Sequence, residues 1–186
     1  MKKVCVLLGL FLFLTGCSGK NVELEKAMEL RAKLLKAESV TFGVDISADY
    51  GDTLQLFSMD CRADDRGNIG FTVTAPETIS GITGTISDGN GALTFDDTAL
   101  QFGLLTDEQL SPISAPWILM KTLRSGYLTA AGTEGESIRL TIDDSYEEDA
   151  LQLDIWLNDQ DLPQRAEVLY DGKNILSLVI KSFQIL

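Results

Sequence analysis

Val40-Thr41-Phe42-Gly43-Val44-Asp45-Ile46-Ser47 decides the fold. Large apolar residues at 40, 42, 44 and 46 alternate with small or polar ones, the two-residue period of a strand with one buried face. Immediately upstream the period is different. Leu24, Ala27, Met28, Leu30, Leu34 and Leu35 recur at three- and four-residue spacing, which predicts an amphipathic helix over Val22 to Ala37. Asn21 is placed to cap it. Glu23 and Glu25 stand at its start and Lys33 and Lys36 near its end, the order that complements a helix dipole.

Downstream, the alternation recurs to the C-terminus. Strands are predicted over Thr53 to Arg62, Ile69 to Thr74, Ile79 to Ser87, Ala92 to Asp96 and Ala99 to Leu104, separated by Gly- and Asp-rich turns. Asp88-Gly89-Asn90-Gly91 and Asp171-Gly172-Lys173-Asn174 read as hairpin turns. The pattern breaks at Thr106 to Ser125, where Pro112 and Pro116 suit the start of a helix and Ile113, Trp117, Met120 and Leu123 form an apolar stripe. Strands resume at Tyr127 to Ala131, Ser137 to Ile142, Ala150 to Leu157, Arg165 to Tyr170 and Asn174 to Ile185. In the last of these, Ile175, Val179, Phe183 and Ile185 are expected on one face and Leu176, Leu178 and Ile180 on the other. Two apolar faces imply that both are covered. The fold class is therefore α+β: one helix, then a long antiparallel sheet with one inserted helix.

Residues 1–16 read as an address rather than as structure. Met1-Lys2-Lys3 is a positive start, and Val4 to Leu14 is an apolar run too short for the ~20 residues of a membrane span. Leu14-Thr15-Gly16-Cys17 closes it and resembles the bacterial lipobox, in which the cysteine is acylated and becomes residue one. The expected organisation is a signal peptide (1–16), a lipidated tether (17–21) and one domain (22–186). Removing Lys2 and Lys3 takes the net charge from −13 to −15. Each buried acyl CH₂ contributes ~0.8 kcal/mol, so two or three chains hold the protein on the extracytoplasmic face of the cell membrane. Ser18 is compatible with the outer membrane where a cell has one.

Composition excludes much chemistry. The chain has 186 residues with 15 Lys plus Arg against 28 Asp plus Glu, an acidity that speaks against nucleic acid as partner. It has no histidine, so imidazole catalysis and imidazole metal sites are ruled out. Of three cysteines, Cys5 leaves with the signal and Cys17 is acylated; Cys61 alternates with Phe57 and Met59 and reads as a buried, inert thiol. Paired carboxylates such as Asp143-Asp144 and Asp96-Asp97 fall at turns, where acids are solvated. Asp88, Asn90, Asp96 and Asp97 offer oxygen ligands without EF-hand spacing. No cofactor motif is present. Neither a catalytic residue nor a metal site is expected, and the chain does not read as an enzyme.

Two stretches carry a resemblance. Pro76-Glu77-Thr78-Ile79-Ser80-Gly81-Ile82-Thr83-Gly84-Thr85-Ile86-Ser87-Asp88-Gly89 is similar to a family segment in which a proline precedes a strand ending in Asp-Gly. Leu162-Pro163-Gln164-Arg165, followed by Val168, Tyr170-Asp171-Gly172 and Leu178-Val179-Ile180-Lys181-Ser182-Phe183, resembles a closing hairpin. With the order of elements, they resemble the bacterial lipoprotein-carrier superfamily of LolA, LolB, LppX and LprG. The resemblance implies a strongly curved half-barrel whose concave face is covered by the helices, over an apolar cavity that holds acyl chains. The chain departs from LolA in carrying its own acylation site.

Phe42, Phe57, Met59, Phe71, Trp117, Met120 and Trp156 are the large apolar residues suited to line such a cavity, since Met and flat aromatics adapt to acyl chains. The same residues would serve equally as core. Two readings follow: a non-catalytic carrier-like lipoprotein that binds lipid or acyl chains, and a surface lipoprotein with a filled core that binds an envelope protein in assembly or sensing.

Overall fold

The computed structural model describes residues 21–49, 54–88, 90–95, 98–103, 105–106, 109–148 and 150–186. The expected signal peptide, Cys17 and the tether up to residue 20 lie outside them, as do Asp96 and Asp97. Helix α1 spans Val22–Lys36 and is capped as expected, with the Asn21 side chain accepting from the Leu24 amide at 2.9 Å. Strands β1 (Ser39–Asp49), β2 (Leu54–Asp64), β3 (Ile69–Ala75), β4 (Thr83–Ser87), β5 (Asn90–Phe95) and β6 (Thr98–Gly103) follow. A two-strand hairpin, β7 (Leu105–Thr106) and β8 (Gln109–Leu110), leads through a 3₁₀ turn at Pro112–Ser114 into helix α2 (Ala115–Ser125). Strands β9 (Tyr127–Glu134), β10 (Ser137–Asp143), β11 (Gln152–Leu157), β12 (Pro163–Tyr170) and β13 (Lys173–Ile185) complete the chain.

Among the described residues, eleven strands form one open, curved antiparallel sheet in the order β6-β5-β4-β3-β2-β1-β13-β12-β11-β10-β9. Two meanders run outward from the centre, where the first strand pairs with the last. The chain must therefore pass from the β6 edge to the β9 edge. The Pro112–Ser114 turn, packed on β1, and α2, packed against β2 and β10, make that crossing over one face. Helix α1 lies on the same side, against β9 and α2. This is the half-barrel class that the resemblance implies.

One continuous core fills the space between sheet and helices. Val40, Phe42, Val44, Ile46 and Ala48 of β1 point into it beside Ala63, Cys61 and Met59 of β2 and Leu176, Leu178 and Ile180 of β13. Ala27, Leu30 and Leu34 of α1 and Ile118, Leu119, Met120 and Leu123 of α2 close it from above. Polar ties hold the lid down. Arg31 Nε donates to the Leu123 carbonyl at 2.9 Å, Lys26 pairs with Asp161 at 2.7 Å, and Arg124 Nη1 donates to the Asp64 carbonyl at 2.6 Å.

Three local expectations are corrected. The strand expected from Ile79 begins at Thr83, because Glu77–Ile79 forms a 3₁₀ turn and Gly81 takes φ +89°, outside the range of a strand. The second helix occupies only Ala115–Ser125 of the expected interval, with Pro116 in its first turn. The two apolar faces of β13 merge into one. Gly43 pairs with Ser182 and Val44 with Ile180, so Lys181 is an extra residue that flips the strand's parity. Phe183 and Ile185 thereby join Leu176, Leu178 and Ile180 on the core side, while Val179 faces solvent. The final hairpin needs no correction. Tyr170 pairs with Lys173 across Asp171 and Gly172, both at positive φ, the two-residue turn that Asp-Gly favours.

Candidate binding site

Strand register sorts the seven residues expected to line a cavity. Phe42, Cys61 and Phe71 lie in one cross-strand row, and Val44, Met59 and Val73 in the next, all on the helix-covered face. Phe42 meets Phe183 with ring centroids 5.8 Å apart. Phe57 opposes Ile46 and is half-buried against the same core. Met120 reaches the core from α2, and Trp117 packs on its margin with Lys121 Nζ 5.1 Å from the ring centroid. Six of the seven are thus brought together.

Trp156 is set apart. It pairs with Arg139 of β10 and Arg165 of β12 on the opposite face, where the two guanidinium carbons lie 5.3 and 3.9 Å from its ring centroid. Its burial comes from arginine stems and planes rather than from core. Beside it, Asp154 is 3% exposed yet satisfied, accepting from Arg139 Nη2 at 2.6 Å and Thr141 Oγ1 at 2.7 Å.

Among the described residues, one gap between α1, α2 and the sheet, bordered by Met28, Arg31, Leu123 and Leu128, measures about 10 Å³. A larger space lies on the other side of the sheet. There a groove of about 530 Å³ crosses β13, β1, β2 and β3. Two cross-strand rows, Gln184, Thr41, Arg62 and Gly70, then Ser182, Gly43, Asp60 and Thr72, form most of it, and Phe42, Cys61, Phe71 and Gly84 complete its lining. Gly43 and Gly70 contribute no side chain, so the backbone itself forms part of the floor. A Cβ at position 43 would stand 3.3 Å from Ser182 Oγ and 3.4 Å from Asp60 Oδ1. The Gly43 amide donates to Ser182 Oγ at 3.0 Å, and Arg62 Nη2 donates to Ser39 Oγ at 3.1 Å.

Hydroxyls, an amide, a carboxylate and a guanidinium give this groove donors, acceptors and both charges. That set can hold a polar chain by hydrogen bonds. The nearest sulfur, Cys61, belongs to the row beneath the floor and is 4% exposed; burial, and next the charge of Asp60, push its thiol well above the ordinary cysteine value. The alternating polar positions of β1 and β2 mark a wet face in the sequence. Which of them become neighbours depends on register and on the Lys181 bulge, and neither has a local sequence signal.

No family model matches the chain, and no curated protein matches it. Similar solved structures include an uncharacterized conserved protein of Thermus thermophilus, 10% identical with a TM-score of 0.48 over 88% of this chain and 87% of that one. A LolA superfamily protein of Nitrosomonas europaea is 8% identical, with a TM-score of 0.44 over 86% and 93%. The lipoprotein LppX of Mycobacterium tuberculosis is 12% identical, with a TM-score of 0.41 over 87% and 93%. At these identities and TM-scores the likeness carries neither a role nor a ligand to this chain.

Proposed function

We propose that this chain is an extracytoplasmic lipoprotein, acylated at Cys17, that acts without catalysis by holding an extended segment of an envelope protein in the groove of its outer face. One observation carries the reading. The large aromatics and methionines between sheet and helices are packed as core, while the roomy concavity carries polar side chains at Thr41, Asp60, Arg62, Thr72, Ser182 and Gln184 beside an apolar part of its lining and lies on the other side. A groove of mixed donors and acceptors suits a peptide backbone better than an acyl chain, which offers nothing to hydrogen-bond.

The carrier reading keeps one argument in its favour. Phe42, Met59, Phe71 and Met120 converge on one chamber, and adaptable side chains of this kind could re-form around acyl chains if α2 moved aside. Native mass spectrometry of Ser18–Leu186 made in bacterial cytoplasm separates the two. The expected result is an apo mass that survives incubation with lipid vesicles. A stoichiometric phospholipid or fatty acid would overturn the filled-core reading and make acyl-chain carriage the function.

A further inference from the structure

We propose that the exposed apolar flank of α1 is a membrane-docking face, laid on lipid of no net charge by the anchor at Cys17; this rests on the acylation in the reading above. Leu24, Met28, Ala32 and Leu35 follow one another at intervals of four, four and three residues, which places them along one side of the helix. Leu24, Met28 and Leu35 are 43, 50 and 63% exposed. The neighbouring stripe, Ala27, Leu30 and Leu34, is already buried against the core. A helix apolar on two sides has two partners to meet, and the sheet supplies only one.

Arg31 falls within the exposed stripe but does not charge it. Its guanidinium turns inward onto the carbonyls of Leu123 and Thr122, at 2.9 and 3.5 Å, at the C-terminal end of α2. What the stripe meets is set by where α1 begins. Val22 follows the five-residue tether that starts at Cys17, a length of at most ~17 Å. The helix itself is only ~22 Å long. An acylated Cys17 therefore keeps the whole stripe within ~40 Å of the bilayer, and lipid is the first apolar phase within reach. A second copy is a poor occupant, because a net charge of −15 repels itself. The net charge of −15 bears on the lipid class, favouring zwitterionic over anionic headgroups.

The test uses the full chain, processed in a bacterial host and reconstituted into phosphatidylcholine vesicles. An environment-sensitive dye is attached in turn to Met28→Cys, Leu35→Cys and, on the far side of the helix, Lys33→Cys; buried Cys61 stays unlabelled. Flotation with the vesicles and the mass of the N-terminal peptide report the anchor separately. The expected result is quenching by lipid-borne quencher about threefold stronger at 28 and 35 than at 33, as for a helix lying in the interface. A chain that floats but is quenched equally at all three positions overturns the docking and leaves the anchor standing. Dye at 28 and 35 shielded from lipid in proportion to protein density would assign the stripe to a second copy, and the proposal fails. A chain without acyl mass that does not float removes the anchor, and the docking with it.

Discussion

Gly84 sits directly under the ring of Phe71, its register partner across β3 and β4, with no room between them. A Cβ there would meet the edge of that ring and stand 2.8 Å from the carbonyl oxygen of Ala92 on the next strand. Gly84→Ala should therefore destabilise the protein by about 1–3 kcal/mol, because the ring and two strands would have to shift together. Gly43→Ala is the instructive contrast. Its new methyl meets only Ser182 Oγ and Asp60 Oδ1 at 3.3–3.4 Å, and both can give. Urea unfolding should show a lower midpoint for the first and little change for the second. A matched loss would mean that the groove floor is as tightly packed as the core.

A filled interior has a direct energetic signature. Met120 is 2% and Met59 1% exposed, so truncating either to alanine leaves a hole in a packed core and should cost about 2–5 kcal/mol. Met120→Glu goes further. It buries a charge with no partner among Leu119, Leu123 and the sheet, and the chain should fail to fold in far-UV and near-UV dichroism. If the interior were a pre-formed lipid chamber, the same variant would keep its sheet and lose only lipid uptake.

The difference between those outcomes shows how far the sequence could be read. Element types were legible because periodicity is local: the α1 cap at Asn21, the alternation of β1 and the Asp171-Gly172 turn all appear as expected. Facing was less so. One bulged residue, Lys181, moves Phe183 and Ile185 to the core side, and nothing in the residues around it announces the flip. Trp156 shows the same limit at the candidate site. By composition it is a cavity aromatic; by register it sits between Arg139 and Arg165 on the outer face. Cross-strand neighbours of this kind are fixed by pairing over tens of residues, which a linear pattern does not contain.

The Trp156 position can be read optically. In a Trp117→Phe background the remaining emission comes from an indole covered by two guanidinium groups, with Arg165 nearer at 3.9 Å. Arg165→Ala should uncover the ring, shift its emission to the red and cost about 0.5–1 kcal/mol, the worth of a cation–π contact near the surface. The complementary Trp156→Phe chain, which reports from Trp117 beside α2, should be insensitive to Arg165→Ala. An unchanged spectrum in the first chain would place Trp156 within the core after all.

Asp45 gives the acid limb of stability a specific origin. Its carboxylate is held below the ordinary aspartate value chiefly by the hydrogen bond from Lys181 Nζ at 2.6 Å, with Ser58 Oγ at 2.9 Å adding to it and burial opposing. A carboxyl with a depressed folded-state pKa binds protons more readily when unfolded. Its contribution is therefore complete above the unfolded value of about 3.9 and is lost as pH falls through the lower folded value. Thermal midpoints should be insensitive to this pair between pH 5 and 8, to within the small worth of a half-exposed ion pair, and should drop below about pH 4. Asp45→Asn should flatten the part of that acid limb due to position 45 while leaving the neutral midpoint nearly unchanged. Carboxyl carbon titration by nuclear magnetic resonance checks the cause directly: Asp45 should titrate below the ordinary aspartate range, and Lys181→Gln should move it back up. An Asp45 that titrates normally in the intact protein would show that the pair is broken in solution, along with the bulge geometry that brings Lys181 across β1.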